Sequence, residues 1–282
     1  FNLVKKVYNI DNEHKRNSMP ITLNSFTSTD LCFGNKWEIS DRDLLIDIVA
    51  EVLVGRARHA QKVLEGLGQL DSAVDYRDQV LLDAIQKLTI NGDVDVYHRD
   101  GLVFQIFSWV AAHKGAGNSS IIATPHLIRA QKGFDGLQVD INSSNRKVDS
   151  IRIFEDKATE NPRDTIREKV WPEFKEFYDG KRESELEDQL STLLLTKAHL
   201  VDDIDDAIET LIWKDVRKFR VAITVESSHD SEAGIKRLFK DYDEIVPEDI
   251  DFRQAEYIHI DNLRTWMDDF CNEVINLLES RR

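Results

Sequence analysis

Between residues 133 and 157 the chain alternates apolar and polar side chains on either side of a short polar turn, a pattern that few structures accommodate. Leu137, Val139 and Ile141 precede Asn142-Ser143-Ser144-Asn145, and Ile151 and Ile153 follow it, each of these five apolar residues being odd-numbered. Side chains alternate faces along a strand with a period of two, so the segment predicts a β-hairpin with one half-buried face. A turn centred near Asn145 sets Asp135 across from Glu155. Asp135, Glu155 and Lys157 then share the face of the apolar residues, and two carboxylates meet at its open end.

Directly opposed like charges destabilise a strand pair; at an effective dielectric of about 20, two unit charges 4 Å apart repel by roughly 4 kcal/mol. Such a pair needs a cation. Lys157 supplies one positive charge on the same face, and a divalent ion bridging the carboxylates would supply two more. Oxygen-only ligands favour magnesium, manganese or calcium over zinc. The competing account is a solvated rim at a strand end, since a Glu-x-Lys triplet alone occurs by chance in many chains. What sets this triplet apart is its spacing from Asp135, the shared face and the order of the elements around it.

Residues 101 to 113 read as a mostly apolar buried helix, followed by the loop Gly115-Ala116-Gly117-Asn118 and a short strand beginning at Ile121 and Ile122. The hairpin comes next, then an amphipathic helix from Arg163 to Tyr178 with a kink expected at Pro172, and later the β-branched strand Phe219 to Val225. Helix, three strands, helix, strand, with Asp135 and Glu155-Asp156-Lys157 on the hairpin, resembles the core of the PD-(D/E)xK, restriction-endonuclease-like nucleases over residues 101 to 226. The resemblance implies a mixed α/β fold, Asp135 and Glu155 as metal ligands, Lys157 as the catalytic lysine, and magnesium or manganese as cofactor.

The chain departs from that pattern in places. Phe134 stands where a proline usually precedes the first acid, and Gln105 occupies the first core helix, where many members carry a glutamate. Gln105 would hold a metal-bound water without adding charge, or would be a core amide satisfied by backbone; Glu51, on an earlier helix, is the alternative further acid. Within the superfamily, Arg129-Ala130-Gln131-Lys132-Gly133-Phe134-Asp135-Gly136 followed by the Glu-x-Lys strand is similar to the nuclease subunit of Hachiman antiphage defence. That similarity implies a helicase partner. Phe154 departs from the glycine expected before the glutamate.

The rest of the chain reads as mainly helical. Residues 1–95 form a mainly helical N-terminal region, with Ser40 as an N-cap before Asp43, a helix through Leu44, Leu45, Ile48, Val49, Val52 and Leu53 toward Leu67, and a second from Tyr76 to Leu88. Asn91-Gly92 and the β-prone Val94, Val96 and Tyr97 mark a short strand or a boundary near residue 95. Residues 96–282 hold the nuclease-like core, a helical insertion over 183–216 with Leu186, Leu190, Leu193 and Leu194 as packing positions, and a C-terminal amphipathic helix from Leu263 to Glu279.

At 282 residues the chain is long enough to bury roughly three-quarters of its unfolded surface. It has no run of about 20 apolar residues and no secretory signal pattern, and its two cysteines lie far apart, which together point to a cytoplasmic protein without a disulfide framework.

A net charge of −15 opposes simple nucleic-acid binding, where Lys and Arg on phosphates dominate affinity. The charge is unevenly spread, however: Gly101 to Phe134 contains no acid, and Arg129, Lys132, Arg163 and Arg167 flank the motif as candidate DNA contacts. Two readings follow. One is a magnesium-dependent DNA endonuclease delivered to its substrate by a partner; the other is a non-catalytic protein that keeps a nuclease-like fold and binds a protein partner through its acidic surface.

Overall fold

In the computed structural model, residues 19–70, 76–90, 92–117, 119–127, 133–197, 200–212 and 216–282 are described. Strands β1 (Ile21–Ser28), β2 (Cys32–Ile39), β3 (Ser120–Ile122), β4 (Gly136–Ile141), β5 (Val148–Lys157), β6 (Arg217–Val225) and β7 (Arg253–His259) form one mixed sheet in the order β1-β2-β7-β6-β5-β4-β3. The hairpin register follows from the alternation: Leu137 pairs with Ile153, Val139 with Ile151 and Gly136 with Phe154. A bulge between Asp140 and Ile141 adjusts the pairing before the turn. On its other side β5 runs parallel to β6, and β6 parallel to β7, so the centre of the sheet is parallel and its margins antiparallel.

Parallel strands are covered on both faces, and here each face has its own core. One face packs under α1 (Arg42–Leu53), α2 (Ala57–Leu64), α3 (Asp78–Leu88), α4 (Asp93–Gly115) and the C-terminal helix α11 (Leu263–Ser280), with Phe154, Ala222 and Ile258 contributed by the strands. The other receives Leu137, Val139, Ile151, Ile153, Phe219, Val221 and Ile223. It packs under α5 (Pro162–Thr165), a π-helical turn (Ile166–Val170), α6 (Trp171–Tyr178), α7 (Glu183–Thr196), α8 (Ile204–Ile212), α9 (Glu232–Leu238) and α10 (Tyr242–Ile245). The apolar odd-numbered residues of the hairpin are therefore buried, while Asp135 and Lys157 at the strand end keep partial exposure.

Several local expectations are corrected. Residues 21–39, placed by the sequence in a mainly helical region, form two strands, and β2 joins the sheet by pairing with β7. The N-cap of α1 is Asp41 rather than Ser40: its carboxylate accepts from the Leu44 N–H at 3.0 Å, while Ser40 Oγ is turned to the Met19 carbonyl. The helix stops at Leu53 instead of continuing, because Gly55 adopts a left-handed φ of 84°. Val94, Val96 and Tyr97 belong to α4, which begins at Asp93; tertiary packing of the long apolar stripe behind them overrides their β propensity.

Pro172 has no N–H and its ring conflicts with the carbonyl four residues back. The helix resolves this with the π turn immediately before it, in which the Trp171 N–H reaches the Ile166 carbonyl. The leucines of the insertion pack inward as expected, with Leu186, Leu190 and Leu194 buried and Leu193 partly so. Both cysteines are free and buried. No helix among the described residues is long and apolar enough to cross a membrane.

Candidate active site

The two glycines that bracket Phe134-Asp135 set the position of the acid. Gly133 has a φ of 133°, a conformation that side-chain-bearing residues rarely adopt. Gly136 faces the Phe154 ring so closely that a Cβ there would sit 2.8 Å from it. Phe154 in turn carries the Arg220 guanidinium over its ring, 4.3 Å from the centroid. The chain thus enters β4 with Asp135 just before the first strand pair, and the Asp135 N–H donates to the Phe154 carbonyl at 3.1 Å.

Asp135, Glu155 and Lys157 meet at this strand end. Lys157 Nζ donates to Asp135 Oδ2 at 2.9 Å and to Glu155 Oε2 at 2.7 Å, so the lysine bridges the two carboxylates. Asp135 Oδ2 also accepts from the Asp156 N–H at 2.8 Å, and its Oδ1 accepts a short hydrogen bond from Gln105 Nε2. Gln105 is therefore a partner of the first acid rather than a core amide held by backbone. Glu51 is not part of the site: buried in α1, it pairs with Arg56 at 3.0 Å and Arg281 at 3.1 Å and accepts from the Tyr76 hydroxyl.

The electrostatics are those of a crowded interior. Glu155 is 0% exposed. Burial drives its pKa well above the usual value; Lys157 opposes this, and Asp135 and Glu173 add to it. Its Oε1 is buried without a hydrogen-bond donor. The Glu173 carboxyl, on α6, is its neighbour, and two carboxyl groups share a hydrogen bond only when one of the pair carries a proton. Lys157 loses solvation by burial, yet Glu155 and Asp135 outweigh the loss and hold its pKa well above the ordinary value. The lysine is a cation here, not a base.

Adjacent Asp156 points to the other face. Ser108 Oγ donates to its Oδ1 at 2.7 Å, and Arg220 Nη1 lies 3.8 Å away. Burial pushes its pKa up to about 7, against the pull of Arg220. Arg220 also binds Glu256 at 2.5 Å, and Glu256 accepts from Trp37 Nε1 at 3.0 Å. This buried chain of charges escaped the sequence reading; its one visible signal is an arginine inside the apolar strand Phe219 to Val225, which demands a buried acid. Glu173 left no such signal.

A cavity of about 740 Å³ opens onto the site between α4 and α5. Gln105, Asp135, Asp156 and Lys157 line it, the fully buried Glu155 does not, and Tyr97, His98, His126 and Arg264 are among its other residues, with Arg264 4.7 Å over the Tyr97 ring. Of the flanking cations, Arg163 does not reach the cavity; it binds the Lys240 carbonyl at 2.8 Å and Asp241 at 2.7 Å, tying α5 to α10. Arg167 is exposed and paired with Asp164 and Glu168. Arg129 and Lys132 lie outside the described residues. Lys169 lines the cavity instead, together with the acids Glu160, Asp164 and Glu168.

No protein-family model, curated protein or solved structure matches this chain. Among the described residues no cluster of three or more His, Cys, Asp or Glu side chains is arranged to enclose a metal ion. Two carboxylates, one with an unpaired buried oxygen, and a nearby carboxamide are nonetheless a hard-oxygen donor set. That set suits magnesium or manganese, which keep several waters when few protein ligands bind them.

Proposed function

We propose that this chain is a metal-dependent nuclease that hydrolyses DNA phosphodiester bonds on a restriction-endonuclease-like core. The observation that carries the reading is the bridge from Lys157 to both Asp135 and Glu155 at a strand end beside a large cavity. The order α4, β3, β4, β5, the α5–α6 helical stretch and β6 supports the same reading.

Asp135 and Glu155 would hold magnesium or manganese. When bound, such an ion activates a water and offsets charge on the phosphate. Lys157, kept protonated by its carboxylate neighbours, places a fixed positive charge at the cavity wall, where it stabilises the extra negative charge of a phosphate under attack. Gln105 orients Asp135 from α4. The acids around the cavity and the net charge of −15 disfavour unassisted DNA binding, so the substrate is delivered by a partner, for which a helicase subunit in antiphage defence is the fitting kind.

Incubation with supercoiled plasmid and magnesium tests the reading. Nicked or linear product, absent when the metal is chelated, is the expected result. The acid-rich cavity also favours a second reading, a non-catalytic protein binding a basic partner. Intact plasmid under all conditions, with a helicase partner from the native host included, would select it.

A further inference from the structure

A second cavity, of about 330 Å³, lies under the C-terminal half of α4 and is separate in its lining from the candidate active site. Even-numbered residues of the strands from β4 to β7 supply much of its polar wall: Gln138 from β4, Arg152 from β5, Arg220 from β6, and Gln254 and Glu256 from β7. Ala111, Ala112 and Gly115 of α4 line it opposite, and these small residues leave the space that larger ones would fill.

The charges in this wall are unequally satisfied. Glu256 is saturated: Asn35 and Gln254 donate to its Oε1 at 2.8 and 2.6 Å, and Trp37 and Arg220 to its Oε2. Asp140, next to the cavity, accepts from Ser120 at 2.6 Å, Gln138 at 2.7 Å and Ser150 at 2.9 Å. Arg152 is left over. Its side chain is 14% exposed, and the only carboxylate within reach among the described residues is Asp140, at 3.9 Å. Its Nε is buried with no partner. A guanidinium stays charged in proteins and offers a planar fork of donors, so one left this way in a polar cavity is matched by an oxyanion with two oxygens.

We propose that this cavity is a binding site for a small molecule bearing a carboxylate or phosphate group, with Arg152 as its principal anchor and the Gln138 and Gln254 amides as neighbouring contacts. The site is independent of the nuclease reading. Its back wall is nevertheless connected to the first site, because Arg220 Nη1 donates to Ser108 Oγ at 2.8 Å and Ser108 donates to Asp156.

Thermal unfolding of the full chain with inorganic phosphate, sulfate or acetate, against sodium chloride at matched ionic strength, tests the proposal. At least one oxyanion raises the midpoint saturably where chloride does not, and which one does so distinguishes phosphate from carboxylate ligands. Arg152→Gln weakens that response by roughly tenfold to a hundredfold, the range for a lost hydrogen bond to a charged group. Lys157→Ala leaves it intact. Ala112→Leu, which fills the cavity from α4 without touching the arginine, also removes the response, and it serves if Arg152→Gln fails to fold. An equal effect of chloride, or an oxyanion response that survives Arg152→Gln or Ala112→Leu, overturns the assignment.

Discussion

Glu155 and Asp156 are consecutive residues of one strand whose carboxylates face opposite sides of the sheet, Glu155 bound to Lys157 at 2.7 Å and Asp156 to Ser108 at 2.7 Å. The strand's alternation thereby separates two tasks. The odd side carries the proposed chemistry with Lys157; the even side ties β5 to α4 and, through Arg220 and Glu256, to β6 and β7.

Asp135→Asn is expected to destabilise the protein by about 1–3 kcal/mol without metal, the cost of disturbing buried hydrogen bonds. Read from sequence alone, Asp135 and Glu155 form a repelling pair whose relief would stabilise the fold. In the structure Lys157 lies between them, and Asp135 accepts from Gln105, from Asp156 N–H and from Lys157, so an amide must turn a donor toward a donor. Urea unfolding of the two proteins checks this; an unchanged or raised midpoint for the variant would mean the bridge contributes little.

Asp140 gives a pH signature. Burial alone would raise its pKa, but hydrogen bonds from Ser120 and Gln138, the nearby positive charge of Arg152 and a hydrogen bond from Ser150 hold it below its usual 3.8. A depressed folded-state pKa contributes stability that is present above the unfolded value and disappears as pH falls through the folded one. Asp140→Asn is therefore less stable than the parent at pH 7, and the gap narrows as the medium is acidified below about 4. Unfolding curves at several pH values would refute this if the gap were constant.

How much of this was legible in the sequence differs from element to element. The hairpin, its register and the Asp135, Glu155 and Lys157 cluster follow from period-two alternation around one turn. Strands β1 and β2 did not announce themselves, because Asn24, Ser25, Thr27, Asn35 and Lys36 make them polar margin strands with little apolar pattern. Strand β7 is short and follows an acidic stretch, and its Gln254 and Glu256 point into a polar cavity instead of a core. Gln105 was visible as an odd residue in an apolar helix, yet only the packing of α4 on the sheet brings it to Asp135. Glu173 is one acid among many on an exposed-looking helix, and nothing local ties it to Glu155.

Cys32 is predicted to be inert. Burial pushes its thiol up to about 12, so almost no thiolate exists near neutrality. A thiol reagent at pH 8 should label it only on unfolding, in parallel with the loss of folded-state signal. Rapid labelling of Cys32 in the folded protein would show that β2 opens.

The central claim is that Asp135, Glu155 and Lys157 form a catalytic site, and comparing plasmid cleavage by the parent protein, Glu155→Gln and Lys157→Ala in magnesium measures it most directly. Glu155→Gln keeps the side chain's shape, whereas Lys157→Ala takes the cation from between two carboxylates and is expected to lower stability, so circular dichroism is used to confirm that each variant is folded at the assay temperature. The expected result is cleavage by the parent, assayed alone and with the proposed helicase partner, and a loss of at least about a hundredfold in either variant, the scale of removing one charge-stabilising group. Cleavage by a folded Glu155→Gln protein at the parent rate would contradict it.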